Sequence, residues 1–170
     1  MASQDLKKLH DKIMKEFSKC FEEALNSDAC FKFFVKLMQQ SVEEAVYDKY
    51  TPIDYERRRD TPGKRGLQDP SRDNYEYVVK VKGFSALIFM KNLAQSANNE
   101  TRAFQIDEGI VTGKDEAGNS FYDYGPLSKG IYPRDFYGHM LTLIDKESER
   151  RELHSILKKE INKKSKTIKL

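Results

Sequence analysis

Cysteine and histidine, the residues that most often bind metals or act as nucleophile and base, are few and scattered in this chain. The two cysteines, Cys20 and Cys30, lack the close spacing of zinc ligands. We expect both to be buried, inert thiols, and so low a cysteine content is typical of a reducing compartment. The three histidines stand in no nucleophile motif: His10, His139 and His154. These residues predict no metal site and no catalytic site.

Two short segments come close to ligand-binding motifs without completing either. Gly63-Lys64-Arg65-Gly66 is similar to half of a phosphate-binding loop, but it lacks the spacing of that motif and the helix that should follow. The acidic segment 107–123 lacks the register of oxygen ligands that a calcium loop needs. These two segments therefore predict neither a phosphate-binding loop nor a calcium loop.

The densest group of basic and aromatic side chains lies in a stretch rich in proline and glycine, residues 50–73, which we call the basic loop. Pro and Gly at this density prevent regular structure, and long surface loops are usually functional. Its arginines and lysines stand near two tyrosines: Arg57, Arg58, Arg59, Lys64 and Arg65, with Tyr50 and Tyr55. Such side chains pair with carboxylates across a protein interface, form salt bridges within one chain, or bind nucleic-acid phosphates beside stacked bases. The residues leave these three roles open.

Length and composition favour one domain and exclude several classes of protein. The chain has 170 residues, 34% of them charged, and its net charge of +3 is too close to neutral to indicate nucleic-acid binding by itself. No apolar run is long enough to span a bilayer, and the first residues lack the apolar stretch of a secretory signal. We expect a single domain over residues 1–170 that does not bind membranes.

Helical periodicity dominates both ends of the chain. Over residues 1–48, apolar residues recur every three or four positions, with a break at Asn26–Asp28 that favours a new helix start. Residues 132–163 show a second helical pattern, and residues 164–170 form a basic tail that we expect to fray.

The middle of the chain shows the alternation of a β-hairpin. From residue 75 to residue 82, Tyr75, Tyr77, Val79 and Val81 alternate with Glu76, Val78, Lys80 and Lys82. Lys82-Gly83 can turn the chain, and Phe84 to Met90 predicts a second strand. We expect residues 74–131 to be β-rich with loops. Together these patterns predict an α+β fold with two N-terminal helices, a small antiparallel sheet built around a hairpin, and C-terminal helices.

Three motifs, in order, carry a resemblance to a known family. The first is Tyr50-Thr51-Pro52-Ile53-Asp54-Tyr55-Glu56-Arg57-Arg58, followed by Gly66-Leu67-Gln68-Asp69. The second is Ile106-Asp107-Glu108-Gly109, and the third is Tyr132-Pro133-Arg134-Asp135-Phe136 at the opening of the last helical region. This arrangement resembles the head–tail connection (neck) and tail-completion proteins of long-tailed phages and prophages.

The resemblance implies a structural virion protein that forms a ring at the head–tail junction or at the tail end. It implies no catalysis and no cofactor, and a place in the neck or tail of a virion assembled in the host cytoplasm. The implied partners are copies of itself, other neck or tail proteins (connector, tail tube, portal side) and DNA passing through the lumen. The residues implied at the assembly interface are Tyr50, Pro52, Tyr55, Arg57, Arg58, Gly66, Leu67, Asp69, Pro133, Arg134 and Phe136.

Two alternatives remain beside the ring protein. A small metal-independent ribonuclease-like domain would use Arg57, Arg58 and His139 with the tyrosines, since such chemistry needs only positioned acids, bases and cations. A nucleic-acid-binding adaptor would use the lysines between Lys158 and Lys169, and its affinity would fall steeply with salt.

Overall fold

The structure, a computed structural model, describes residues 2–49, 62, 66–94, 113–114, 120–121 and 135–165. Within these ranges the helices are α1 (Ala2–Leu25), α2 (Asp28–Val42), a π-helical turn (Glu43–Tyr47), a 3-10 turn (Arg72–Asn74), α3 (Phe136–Ile144) and α4 (Glu147–Lys164). The strands are β1 (Tyr75–Lys82), β2 (Ser85–Asn92), β3 (Gly113–Lys114) and β4 (Ser120–Phe121). The α+β class, with helices on both sides of an antiparallel hairpin in the chain order, confirms the prediction. None of the described helices has the length and apolar character needed to cross a membrane.

The chain forms two compact units. Unit 1 comprises Met1–Phe34, Tyr77–Met90 and Lys146–Leu170, and unit 2 comprises Val35–Glu76 and Lys91–Asp145. The single domain over residues 1–170 stays a prediction.

Helices α1 and α4 form the helical pair of unit 1. Their contact is an apolar cluster of Cys20, Ala24 and Ile161, with Phe17, Phe21 and Leu157 packed against it. Cys20 and Cys30 are both buried, free thiols. Helix α1 carries an apolar stripe along one face, and the burial of that stripe explains why α1 packs against α4. The break at residues 26–28 lies where it was expected, and Ser27 Oγ accepts a hydrogen bond from Cys30 N at 3.3 Å.

The β1–β2 hairpin packs one face on the helices of unit 1. The Tyr77 ring lies 5.6 Å from the Phe31 ring and 5.9 Å from the Phe34 ring, and its hydroxyl donates to Leu25 O at 2.9 Å. This bond satisfies a carbonyl at the C-terminal end of α1, where helical carbonyls lack partners. An isolated hairpin is only marginally stable in water, so this packing is what supports the sheet.

The turn of the hairpin is a two-residue loop, Gly83-Phe84, with Gly83 at φ +62°. Glycine adopts this left-handed conformation without steric cost, and short hairpins require it. The assignment of Phe84 to the second strand was therefore wrong by one residue, because the strand begins at Ser85 once Gly83-Phe84 forms the turn. The bond from Leu93 N to Asn74 O, 2.8 Å, lies in the same register and places Val78 opposite Phe89.

Unit 2 contains the second half of α2, the π-helical turn and α3. The β3 and β4 strands of this unit pair antiparallel, with Gly113 opposite Phe121 and Lys114 opposite Ser120. Phe136 at the start of α3 is fully buried, and its carbonyl accepts a hydrogen bond from the buried Ser41 hydroxyl of α2. This bond joins two helices that are far apart in the sequence.

Candidate functional site

The segment Gly66–Asp69, one of the three motif elements, is buried in unit 2 and all four of its carbonyls accept hydrogen bonds from side-chain amides. Asn74 Nδ2 donates to Gly66 O at 2.9 Å and to Asp69 O at 3.3 Å. Asn92 Nδ2 donates to Leu67 O at 2.6 Å. Gln39 Nε2 donates to Gln68 O at 2.6 Å. We call Gln39, Asn74 and Asn92 the amide clamp.

The clamp explains how an irregular segment can be buried at all. A buried carbonyl without a partner costs about 1–3 kcal/mol, so loops normally stay on the surface. Here Asn74 and Asn92 are themselves fully buried and supply the missing donors. Residues 66–69 of the basic loop, which the sequence placed on the surface, are therefore interior.

Gln68 adds a reciprocal tie between this segment and α2. Its Nε2 donates to Gln39 O at 3.0 Å and to Glu43 Oε2 at 2.8 Å. Asp69 closes the segment, because its Oδ1 accepts from Ser71 N at 2.9 Å and turns the chain toward β1.

The π-helical turn lets two adjacent glutamates reach different partners. Asp48 N donates to Glu43 O at 2.8 Å, the wide bond of this turn. Glu43 reaches Gln68, whereas Glu44 Oε2 lies 2.5 Å from His139 Nε2 of α3 and Glu44 Oε1 accepts from Gln40 Nε2 at 2.7 Å. The His139–Glu44 pair is about one-third exposed, and it links α3 to the π-helical turn.

Two tyrosines line the same region of unit 2. The Tyr137 hydroxyl accepts a hydrogen bond from Asn92 N at 2.8 Å, so the clamp residue Asn92 is held through its backbone as well. Burial raises the pKa of Tyr75 well above its usual range, which keeps this phenol neutral. A neutral buried phenol is suited to packing rather than to acid–base work near neutral pH.

The site positions the chain and shows no assembled metal-binding group. Across the part of the chain that the structure describes, no three His, Cys, Asp or Glu side chains come together as metal ligands would. The arrangement anchors a four-residue segment that directly follows Arg65 in the sequence. The interactions that form this site are hydrogen bonds from side-chain amides to backbone carbonyls.

The predicted interface residues fall into two groups. Outside the described residues lie Tyr50, Pro52, Tyr55, Arg57, Arg58, Pro133 and Arg134. Inside unit 2, and buried, lie Gly66, Leu67, Asp69 and Phe136. The burial gives the second group a positioning role in its own subunit, and the role of the whole set in assembly stays a prediction.

The last two residues of the third motif, Asp135 and Phe136, lie at the start of α3. Asp135 Oδ1 accepts from Gly138 N at 2.8 Å, which is a helix N-cap. The motif residue Phe136 follows the cap and enters the core. A capped helix start explains why an acidic residue stands before this phenylalanine.

Sequence analysis missed an exposed apolar surface of unit 1, which we call the hairpin face. It comprises the outward side chains Val78, Lys80, Lys82, Leu87 and Phe89, of which Leu87 is 66% and Phe89 49% exposed. The sequence predicts a strand from Phe84 to Met90, but apolar residues at successive positions of this run conceal which side is outward. The lysines of β1 were the signal, since charged residues at every second position mark the outward side.

A model of the YomN family matches residues 5–163. The chain belongs to the YomN family. YomN proteins are of phage and prophage origin, which confirms the predicted origin at that level. Neither a curated protein nor a solved structure matches the chain.

Proposed function

We propose that this YomN-family protein is a structural virion protein that forms a ring at the head–tail junction or tail end of a phage particle, as a connector or tail-completion protein. It would contact copies of itself and other neck or tail proteins, surround DNA transiently, and catalyse no reaction. Its place would be the virion, with assembly in the host cytoplasm. The phage origin of the family supports this proposal, and the observation that carries it is the hairpin face.

The hairpin face has the composition of a docking surface. A two-stranded sheet that packs one side on helices normally turns polar residues outward, but here Val78, Leu87 and Phe89 face solvent. Contiguous exposed apolar side chains rimmed by polar ones mark interaction sites. The neighbouring Lys80 and Lys82 give the face a positive charge, which selects partners with acidic groups at matching positions.

A ring requires two different complementary surfaces on each subunit. The hairpin face would supply one of them. The basic loop, with Arg57 and Arg58, is the candidate for the other, because arginine pairs bidentately with carboxylates across interfaces.

The test combines mass measurement with particle imaging. Light scattering gives the mass of the purified protein alone and after mixing with tail tubes or capsids, and electron microscopy locates it on the particle. We expect a ring, or a subunit that becomes a ring on these particles. The variant Leu87→Ser/Phe89→Ser should stay a folded subunit that joins neither.

Leu141→Ser is the matched control, because Leu141 of α3 is 67% exposed but lies outside the hairpin face. It should assemble as the wild type does. A wild-type protein that remains a monomer or dimer and joins neither particle would refute the proposed function. Normal assembly of the double variant would refute the role of the hairpin face.

A nucleic-acid-binding adaptor is the second candidate, favoured by the exposed lysines at the C-terminal end of α4: Lys158, Lys159, Lys163 and Lys164. Cations at this end also interact favourably with the helix dipole, and Lys163 Nζ lies 2.5 Å from Glu160 Oε1, so they have a structural explanation as well. Binding of duplex DNA that weakens steeply between low and moderate salt would favour the adaptor. Binding that is absent at low salt would exclude it.

A further inference from the structure

A second apolar surface of unit 1 lies on the N-terminal half of α1. Leu6, Leu9 and Ile13 occupy successive turns on one side of the helix, and they are 67%, 54% and 42% exposed. We call these three residues the α1 patch. A helix of a soluble protein normally turns such a stripe toward another element, so three exposed members in register indicate a contact surface.

The α1 patch continues the surface through which α1 packs on α4. On the same side of α1, Phe17, Cys20 and Ala24 belong to the apolar cluster that includes residues of α4. Ser165, the residue after α4, donates from Oγ to Glu16 Oε1 at 2.8 Å, so α4 ends beside Glu16. The first turns of α1 therefore extend the same helix-packing stripe past the end of α4.

Two opposite charges stand on one edge of the α1 patch. Asp5 immediately precedes Leu6 and Lys12 immediately precedes Ile13, and both charged side chains are exposed. Seven residues make about two helical turns, so Asp5 and Lys12 lie on the same edge of the helix, about 10 Å apart along its axis. This spacing exceeds the three or four residues at which helical side chains pair within one chain. The edge is therefore complementary to a copy of itself that runs in the opposite direction.

We propose that the α1 patch binds the α1 patch of a second copy of this chain, with the two helices antiparallel across a two-fold axis. The axis passes between Leu6 and Leu9, so that Leu6 of each copy packs against Leu9 of the other. Asp5 of each copy then lies beside Lys12 of the other copy, at the edge position where paired helices form salt bridges. A parallel pair would instead place Asp5 against Asp5 and Lys12 against Lys12, which like-charge repulsion disfavours.

The size of this contact predicts a weak dimer. With the axis between Leu6 and Leu9, the two helices overlap from Ala2 to Ile13, about 18 Å. Standard protein interfaces bury about 1,200–2,000 Å², so a contact of this length should dissociate on dilution. The inference does not rest on the proposed function, because a ring uses head-to-tail contacts, whereas this contact uses the same patch twice.

The test measures the dissociation constant of the dimer by sedimentation equilibrium of the purified chain. We expect a monomer–dimer equilibrium for the wild type and a monomer for Leu6→Ser/Leu9→Ser. Asp5→Lys turns both ion pairs into repulsions. Since one exposed ion pair changes an equilibrium constant by up to about fivefold, the dissociation constant should rise about tenfold. High salt should reduce this difference by screening.

Exchanging the two charges tests the register directly. Asp5→Lys/Lys12→Asp restores both ion pairs in the antiparallel dimer, so it should return the dissociation constant to that of the wild type. The double variant keeps the same change at position 5, so its recovery separates the ion pairs from an effect of that change on the helix. Asp11→Lys is the matched control, because Asp11 is an exposed aspartate on the opposite side of α1, and it should leave the dissociation constant unchanged.

The hairpin-face variant separates this inference from the proposed function. Leu87→Ser/Phe89→Ser should dimerise as the wild type does, whatever its behaviour on phage particles, and far-UV circular dichroism checks that all variants keep their helices. A wild type that stays monomeric at every concentration would overturn the proposal, and a different protein would then be the occupant of the patch. A dimer that survives Leu6→Ser/Leu9→Ser would also overturn it. Equal dissociation constants for Asp5→Lys and for the charge exchange would overturn the antiparallel register.

Discussion

Asn92→Ala tests the amide clamp at one of its two fully buried members. The wild-type side chain is fully buried, donates to Leu67 O at 2.6 Å and accepts from Ala94 N at 2.9 Å. Alanine removes both bonds. Each buried hydrogen bond contributes about 1 kcal/mol, and a buried carbonyl left without a donor costs about 1–3 kcal/mol. We therefore expect the free energy of unfolding to fall by about 2–4 kcal/mol.

This loss is large against the total stability of about 5–15 kcal/mol that is usual for a domain. In urea denaturation followed by circular dichroism, it should lower the midpoint by about 1–2 M, with the slope unchanged. Asn26→Ala is the control, because Asn26 Nδ2 also donates to a backbone carbonyl, Glu22 O at 3.0 Å, but from an exposed position. Its effect should stay below about 0.5 kcal/mol.

The Asn92→Asp variant tests the same hydrogen bonds with a side chain whose charge depends on pH. A carboxylate keeps the acceptor for Ala94 N but faces the Leu67 carbonyl without a proton to donate, so at pH 8 it should destabilise more than alanine does. Burial raises the pKa of such a carboxyl in the folded state, and the protonated form donates again. Stability should therefore recover as the pH falls and be lost as it rises through the folded-state pKa. An Asn92→Ala midpoint within error of the wild type, or an Asn92→Asp variant without this pH dependence, would refute the clamp.

Three further substitutions or modifications follow from single contacts. Tyr77→Phe loses the bond to Leu25 O and should cost about 1–2 kcal/mol in thermal unfolding; an unchanged Tm would mean that this carbonyl finds another donor. Gly138→Ala places a Cβ against the Asp135 carboxylate that caps α3, and should cost about 1 kcal/mol, whereas a stabilised variant would show that the cap adjusts freely. Burial raises the pKa of the Cys30 thiol, so iodoacetamide at pH 8 should modify this residue only after urea unfolding. The same shift means that the stability contributed by the neutral thiol should be lost as the pH rises above the ordinary thiol pKa. Rapid modification of the native protein would contradict this assignment.

Local patterns predicted the elements of this fold, because helix and strand periodicities depend only on the spacing of apolar residues close together in the sequence. The break between α1 and α2 and the alternation from Tyr75 follow from side-chain spacing alone. The amide clamp could not be found in this way. Gln39, Asn74 and Asn92 are polar residues without periodicity, and they meet the Gly66–Asp69 segment only through tertiary contacts.

One signal for the clamp was nevertheless present in the sequence. Asn74 immediately precedes β1, and Asn92 is the last residue of β2, so a hairpin in register brings both to its open end. Asparagine disfavours strands and bonds readily to nearby backbone. Two asparagines at matching ends of a predicted hairpin could therefore have indicated a buried backbone segment that needs donors.

The clamp also bears on how the basic loop could serve assembly. Its arginines precede the segment Gly66–Asp69, which is fixed by hydrogen bonds from three parts of unit 2, so one end of the loop has a defined position before any partner arrives. Ordering a loop on binding costs conformational entropy, and fixing one end in advance reduces that cost. Loosening the clamp should therefore weaken docking through Arg57 and Arg58 while leaving the hairpin face intact. An Asn92→Ala variant that remains folded but assembles less well, with normal behaviour of Asn26→Ala, would separate these two contributions. Unimpaired assembly of Asn92→Ala would show instead that the clamp serves stability alone.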